Sequence, residues 1–132
     1  MAIPVRIGNT ISLLASGANN ILEGTGCVSN TEGYAIMGAN DNDSNFVGFA
    51  VASASAGDPV TLAQPGSVVQ AIGGTSAISA GDYLMLYGAS GRVTSIATVS
   101  ASSYYVVGQA LEACDTAGDK LAIMVCNFRD HC

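Results

Sequence analysis

Charge is scarce in this sequence. Asp, Glu, Lys and Arg together make up 11% of it, against about 25% in an ordinary soluble domain, so charge alone cannot cover a monomer's surface. Only Arg6, Arg92, Lys120 and Arg129 are positive, and the formal net charge is −6. Four scattered cations cannot track a phosphate backbone, which argues against nucleic acid as a partner. The same sign disfavours an anionic membrane surface, and no apolar run approaches the ~18 residues of a membrane span. The opening MAIPVRIGNT lacks the uninterrupted apolar stretch and small-residue cleavage site of a secretory signal. Synthesis and residence in a cytosol, with release by lysis, is the expectation. Tryptophan is missing, and three Phe and five Tyr promise a modest aromatic core.

Histidine occurs once, as His131, one residue from the end. A general base needs fixed hydrogen-bond geometry, which that position offers nothing to supply. No Ser lies in a G-x-S-x-G turn, and Gly88-Ala89-Ser90-Gly91 has the wrong spacing for one. Gly24-Thr25-Gly26 lacks the third glycine of a dinucleotide loop, and Gly73-Gly74-Thr75-Ser76 lacks the lysine of a phosphate loop. Asp41-Asn42-Asp43-Ser44-Asn45 begins like a calcium loop, but the required sixth-position Gly is Phe46 and the twelfth-position acid is Ala52. A solvated turn is the better expectation. Cys27, Cys114 and Cys126 are expected as small buried hydrophobes; Cys126, His131 and Cys132 lack the paired spacing of a zinc site. The chain is expected to be no enzyme, with no catalytic residue, metal or cofactor.

What is present in quantity is short apolar runs punctuated by turn residues. NFVGFAVASASAGDPVTL, over 45–62, returns near the end as YVVGQALEACDTAGDKLAIMV, over 105–125. In both, an apolar arm is followed by Ala-Gly-Asp and then by an alternating arm, the order strand, turn, strand. A third Ala-Gly-Asp, at 80–82, precedes Tyr83-Leu84-Met85-Leu86-Tyr87. Gly57-Asp58, Gly81-Asp82 and Gly118-Asp119 are therefore expected as structural turns, Gly supplying positive φ and Asp bonding nearby backbone N–H groups.

Further strands are expected over Thr10–Leu14, 21–29, 33–37, Val68–Ile72, Tyr83–Tyr87 and 92–98, with a type II turn at Pro65-Gly66. Turn signals recur every eight to twelve residues and no convincing amphipathic helix is found. The fold expected is all-β, a small β-barrel or β-sandwich built from short hairpins. It is a single β domain over 10–126, with an N-terminal arm at 1–9 and a C-terminal tail at 127–132. Phe46, Phe49, Tyr104 and Tyr105 fall at the starts of the two hairpin copies. Strict alternation would turn one member of each pair outward, making these four the candidate subunit interface.

The order V-G-x-A, A-G-D, a Pro loop, A-G-D, G-x-V-T and a final V-G-x-A-L-E-A…A-G-D resembles the tailed-phage capsid cement, or head decoration, proteins. Here these are Val47–Ala50, Ala56–Asp58, Pro65, Ala80–Asp82, Gly91–Thr94 and Val107–Asp119, and Gly8-Asn9-Thr10-Ile11 is similar to that family's opening. The resemblance implies a homotrimer on the outer surface of an icosahedral virion head, holding major capsid protein capsomers together. Because terminal arms commonly order on binding, Ile3, Pro4, Val5 and Arg6 of the arm are the candidate capsid-contacting residues. The competing reading is a glycan-binding adhesin module of a head or tail fibre.

Overall fold

The structure, a computed structural model, describes residues 9–16, 20–30, 32–38, 45–74, 78–88, 90–98 and 103–131. Ten strands account for most of it: β1 (Thr10–Leu14), β2 (Gly26–Ser29), β3 (Ala35–Met37), β4 (Phe46–Ala50), β5 (Pro59–Ala63), β6 (Val68–Ile72), β7 (Tyr83–Tyr87), β8 (Arg92–Ser95), β9 (Ser103–Ala110) and β10 (Lys120–His131). They form two five-stranded sheets, ordered β1-β5-β4-β2-β3 and β6-β10-β9-β7-β8. All named pairings are antiparallel. The architecture is all-β and sandwich-like. An isolated parallel bridge links the ends of the outer strands of each sheet, Ala15 to Ala35 and Gly73 to Val93, so both sheets curl without closing into a barrel.

The two sheets are the same object twice. Renumbered from one, β6 to β10 have the order of β1 to β5, and the irregular contacts repeat as well. Ala15 N donates to Asp58 O as Gly73 N does to Asp119 O; Gly57 N donates to Ala15 O as Gly118 N does to Gly73 O. Gly24 N donates to Ala50 O as Gly81 N does to Ala110 O, and Ser16 N to Ala35 O as Gly74 N to Val93 O. The hairpin similarity at 45–62 and 105–125 is thus the visible part of a duplication covering the whole domain. The third Ala-Gly-Asp is not a third hairpin: in the first sheet its place is held by Glu23-Gly24-Thr25.

Burial follows strand alternation. Val60 and Leu62 of β5 face one way with Cys27, Ala35, Ala50 and Ile21, forming a core within the first sheet's concave side. The corresponding residues of the second sheet, among them Leu84, Val93, Ala110, Leu121 and Ile123, form the larger core. That core is completed by the back of the first sheet, through Val28, Phe46, Phe49 and Ala63. The sheets therefore stack back to front.

Three expectations change in detail. The run at 92–98 leaves the sheet after Ser95 and turns through a short 3-10 helix over Ile96–Thr98. In the stretch at 21–29 only Gly26–Ser29 is strand, Ile21 making a single bridge to Ala54. The last strand continues past Cys126, Phe128 to His131 pairing with Val106 to Ser103 after a bulge. Most of the segment set apart as a tail at 127–132 is thus backbone of β10.

Candidate interaction surface

The three Gly-Asp pairs sit in tight turns. Gly57, Gly81 and Gly118 have φ of 83°, 92° and 94°, and the N–H of Asp58, Asp82 and Asp119 donates to the carbonyl of Ser55, Ser79 and Thr116. These are type II features, shared by Pro65-Gly66, where Ser67 N donates to Gln64 O and Gly66 has φ 95°. Asp82 also uses its carboxylate, accepting from Ser79 N at 2.9 Å. For Asp58 and Asp119 the backbone is engaged, each carbonyl receiving the opening strand of its sheet. These positions build turns and present no converging carboxylates.

In the first aromatic pair neither ring turns outward, although strict alternation would expose one of them. Phe46 and Phe49 are both buried, at 5% and 0% exposure, and pack edge to face with centroids 5.2 Å apart. The cause is a bulge. Cys27 pairs with Gly48 but Val28 pairs with Phe46, so β4 has one residue more than β2 between those pairs. The extra residue resets the alternation and turns both rings into the inter-sheet core. Tyr104 is also buried, and Tyr105 is half-buried against the main core. Ile3, Pro4, Val5 and Arg6 lie outside the described residues, as do Asp41 and Asp43.

Cys27 and Cys114 are buried and Cys126 is partly so. Burial pushes the Cys27 thiol up to about 12 from 9.0, partly offset by hydrogen bonds from the Thr25 side chain and the Ala50 backbone. Burial raises Cys126 too. Because the folded-state value of Cys27 lies above the unfolded one, the folded protein holds the proton longer as pH rises. Its contribution to stability is whole below pH 9.0 and is lost between there and about 12, with a limiting slope of about 1.4 kcal/mol per pH unit for one group. Urea midpoints measured across that range should fall for the native protein and fall less for Cys27→Ala. Among the described residues no group of His, Cys, Asp and Glu is arranged to hold a metal ion.

The apolar surface lies elsewhere. Tyr83, Leu111 and Met124 are 41%, 43% and 40% exposed and share the outer face of the second sheet. Met124 pairs with Gln109, which pairs with Tyr83, while Leu111 follows Gln109 by two and its N–H donates to Ala122 O. Val68, opposite Met124, extends the row. On the concave side of the first sheet Ile11 is 41% exposed, beside half-buried Leu13, Met37 and Val47. The sequence did carry a signal for the first of these faces. Tyr83-Leu84-Met85-Leu86-Tyr87 and Leu121-Ala122-Ile123-Met124-Val125 are apolar at both parities, where a solvated outer face would alternate.

A family model described as phage cement protein matches residues 5–126. Among solved structures, the head fiber gp8.5 N base of bacteriophage phi29 has the same fold, with a TM-score of 0.62 at 21% identity, over 89% of this chain and 95% of that one. No curated protein matches.

Proposed function

The chain belongs to the phage cement protein family, and from that membership we propose that it binds as a homotrimer to the outer surface of an icosahedral phage head. There it stabilises the contacts between major capsid protein capsomers. The family is a structural one, not an enzyme class, and it implies a virion-associated protein that works on the capsid. Cementing needs only differential binding: a protein that binds the assembled shell and not its dissociated subunits stabilises the shell by mass action, by about 2.7 kcal/mol per site at a hundred times Kd. A trimer engaging three capsid sites gains further through effective concentration. In this reading residues 10–126 are the functional domain, and the arm at 1–9, through Ile3, Pro4, Val5 and Arg6, reaches onto the shell.

The family match carries this reading. A second one, a fibre-borne adhesin or glycan-binding module, draws on the head fiber named in the structural neighbour's title. Purified protein incubated with empty expanded capsids of its phage should co-sediment with them and raise their temperature of disruption. Binding to host-cell glycans with no binding to capsids would overturn the cement reading in favour of the second.

A further inference from the structure

The duplicated sheets meet through non-equivalent faces, so positions used in that contact in one sheet have exposed counterparts in the other among the described residues. In the first sheet the row Ala63, Phe49, Gly26 runs across the back. Ala63 and Phe49 lie in the inter-sheet core, Val51 packs against it, and a methyl group added at Gly26 would strike Leu86 of the second sheet. By register, the same row in the second sheet is Met124, Gln109, Tyr83, and the residue matching Val51 is Leu111, since Val51 N donates to Thr61 O as Leu111 N does to Ala122 O. Positions that are covered in the first sheet are, in the second, the exposed Met124, Tyr83 and Leu111.

The opposite end shows the complementary defect. Val69, Ile123 and Ala110 form a row on the concave side of the second sheet and belong to the core that receives the first sheet. Their counterparts Ile11, Leu62 and Ala50 form the same row on the first sheet. Val69 is 4% exposed where Ile11 is 41% exposed. The back of the second sheet is thus covered at Met85 and Ala122 but exposed at Tyr83, Leu111 and Met124, and the concave side of the first sheet is exposed at Ile11.

We propose that a second copy of this chain fills each of these faces. The back of the second sheet (Tyr83, Leu111, Met124) of one protomer packs onto the concave side of the first sheet (Ile11, Leu13, Val47) of the next, repeating between chains the contact that joins the sheets within one. The contact is heterologous. Such contacts close into a ring when the rotation per chain divides a full turn, and run on as a filament when it does not. The inference rests on the homotrimer reading for the ring's size, three chains giving six similar sheets about one axis, and it specifies which surfaces meet.

Sedimentation of the full chain, of Met124→Lys, of Ile11→Lys and of their equimolar mixture tests it. The native protein should sediment as a trimer and each variant as a monomer, because each has lost one of two unlike faces. The mixture should yield a dimer and nothing larger, since each variant still carries the face the other lacks. Forming that dimer requires both variants to be folded, and a cooperative melting transition, lowered by the loss of association, confirms it independently. Variants that stay trimeric, or that stay monomeric when mixed though folded, would overturn the head-to-tail contact. So would variants that remain trimers but no longer bind capsids, which would assign the faces to the shell. A native monomer would defeat the trimer reading and this inference together. A native filament dissolved by either substitution would support the contact and refute the trimer.

Discussion

Replacing Phe49 by alanine should cost the protein about 3–5 kcal/mol, seen as a large drop in the urea midpoint, and Phe49→Asp should abolish the cooperative transition. The ring is fully buried and lies between the two sheets, edge to face with Phe46 at an interplanar angle of 63°. Its loss removes apolar burial, leaves a cavity, and forfeits an aromatic pair contribution of about 0.5–1.5 kcal/mol. Against a domain stability of about 5–15 kcal/mol, that is a large share. The carboxylate of Phe49→Asp would face Ala63 and the concave residues of the second sheet, with no buried charged residue among the described residues to pair with it. A soluble, folded monomer from Phe49→Asp would instead place the ring at a subunit contact and would contradict the packing described above.

Phe49 also shows where sequence stopped and structure began. Val47-Gly48-Phe49-Ala50 is legible as a strand, and its return at Val107-Gly108-Gln109-Ala110 is legible as a repeat. A bulge has no signature in such a run beyond a glycine that strands elsewhere also carry. Strict alternation carried through it turns one ring of the pair outward, where the structure buries both. The full duplication was hidden for a related reason. Its conserved content is backbone hydrogen bonding and turn geometry, which Gly24-Thr25 and Gly81-Asp82 meet with different side chains. Only the stretch in which both copies kept Val-Gly-x-Ala and Ala-Gly-Asp could be recognised. The all-β class and the turns were readable because Gly and Pro dictate them locally. The interaction faces were not, because whether a strand's second face is wet depends on what the sheet stacks against.

Gly33 and Gly91 provide a comparison internal to one molecule. They occupy matching positions in the β2–β3 and β7–β8 connections, with φ of 84° and 70°, so alanine at either must adopt a left-handed conformation costing about 1–2 kcal/mol. Their surroundings differ. A Cβ at Gly33 would meet nothing within 4 Å, whereas one at Gly91 would lie 2.7 Å from Gly26 O and 2.9 Å from Thr25 Cβ. Gly91 O also accepts from Gly26 N at 2.8 Å, and Gly91 N donates to Gly38 O at 3.1 Å, so the second sheet's hairpin is bonded to the first sheet's backbone there. Backbone cannot swing aside as a side chain does, and forcing the two apart adds about 1–3 kcal/mol. Gly33→Ala should lower the unfolding free energy by about 1–2 kcal/mol. Gly91→Ala should lower it by roughly 2–5 kcal/mol, the sum of the conformational and steric costs. Denaturant titration of both variants measures the difference, which is the part owed to the junction between the sheets. Equal losses would mean that the junction yields at no cost, and a back-to-front contact that soft within one chain would be too weak a template for the same contact between chains.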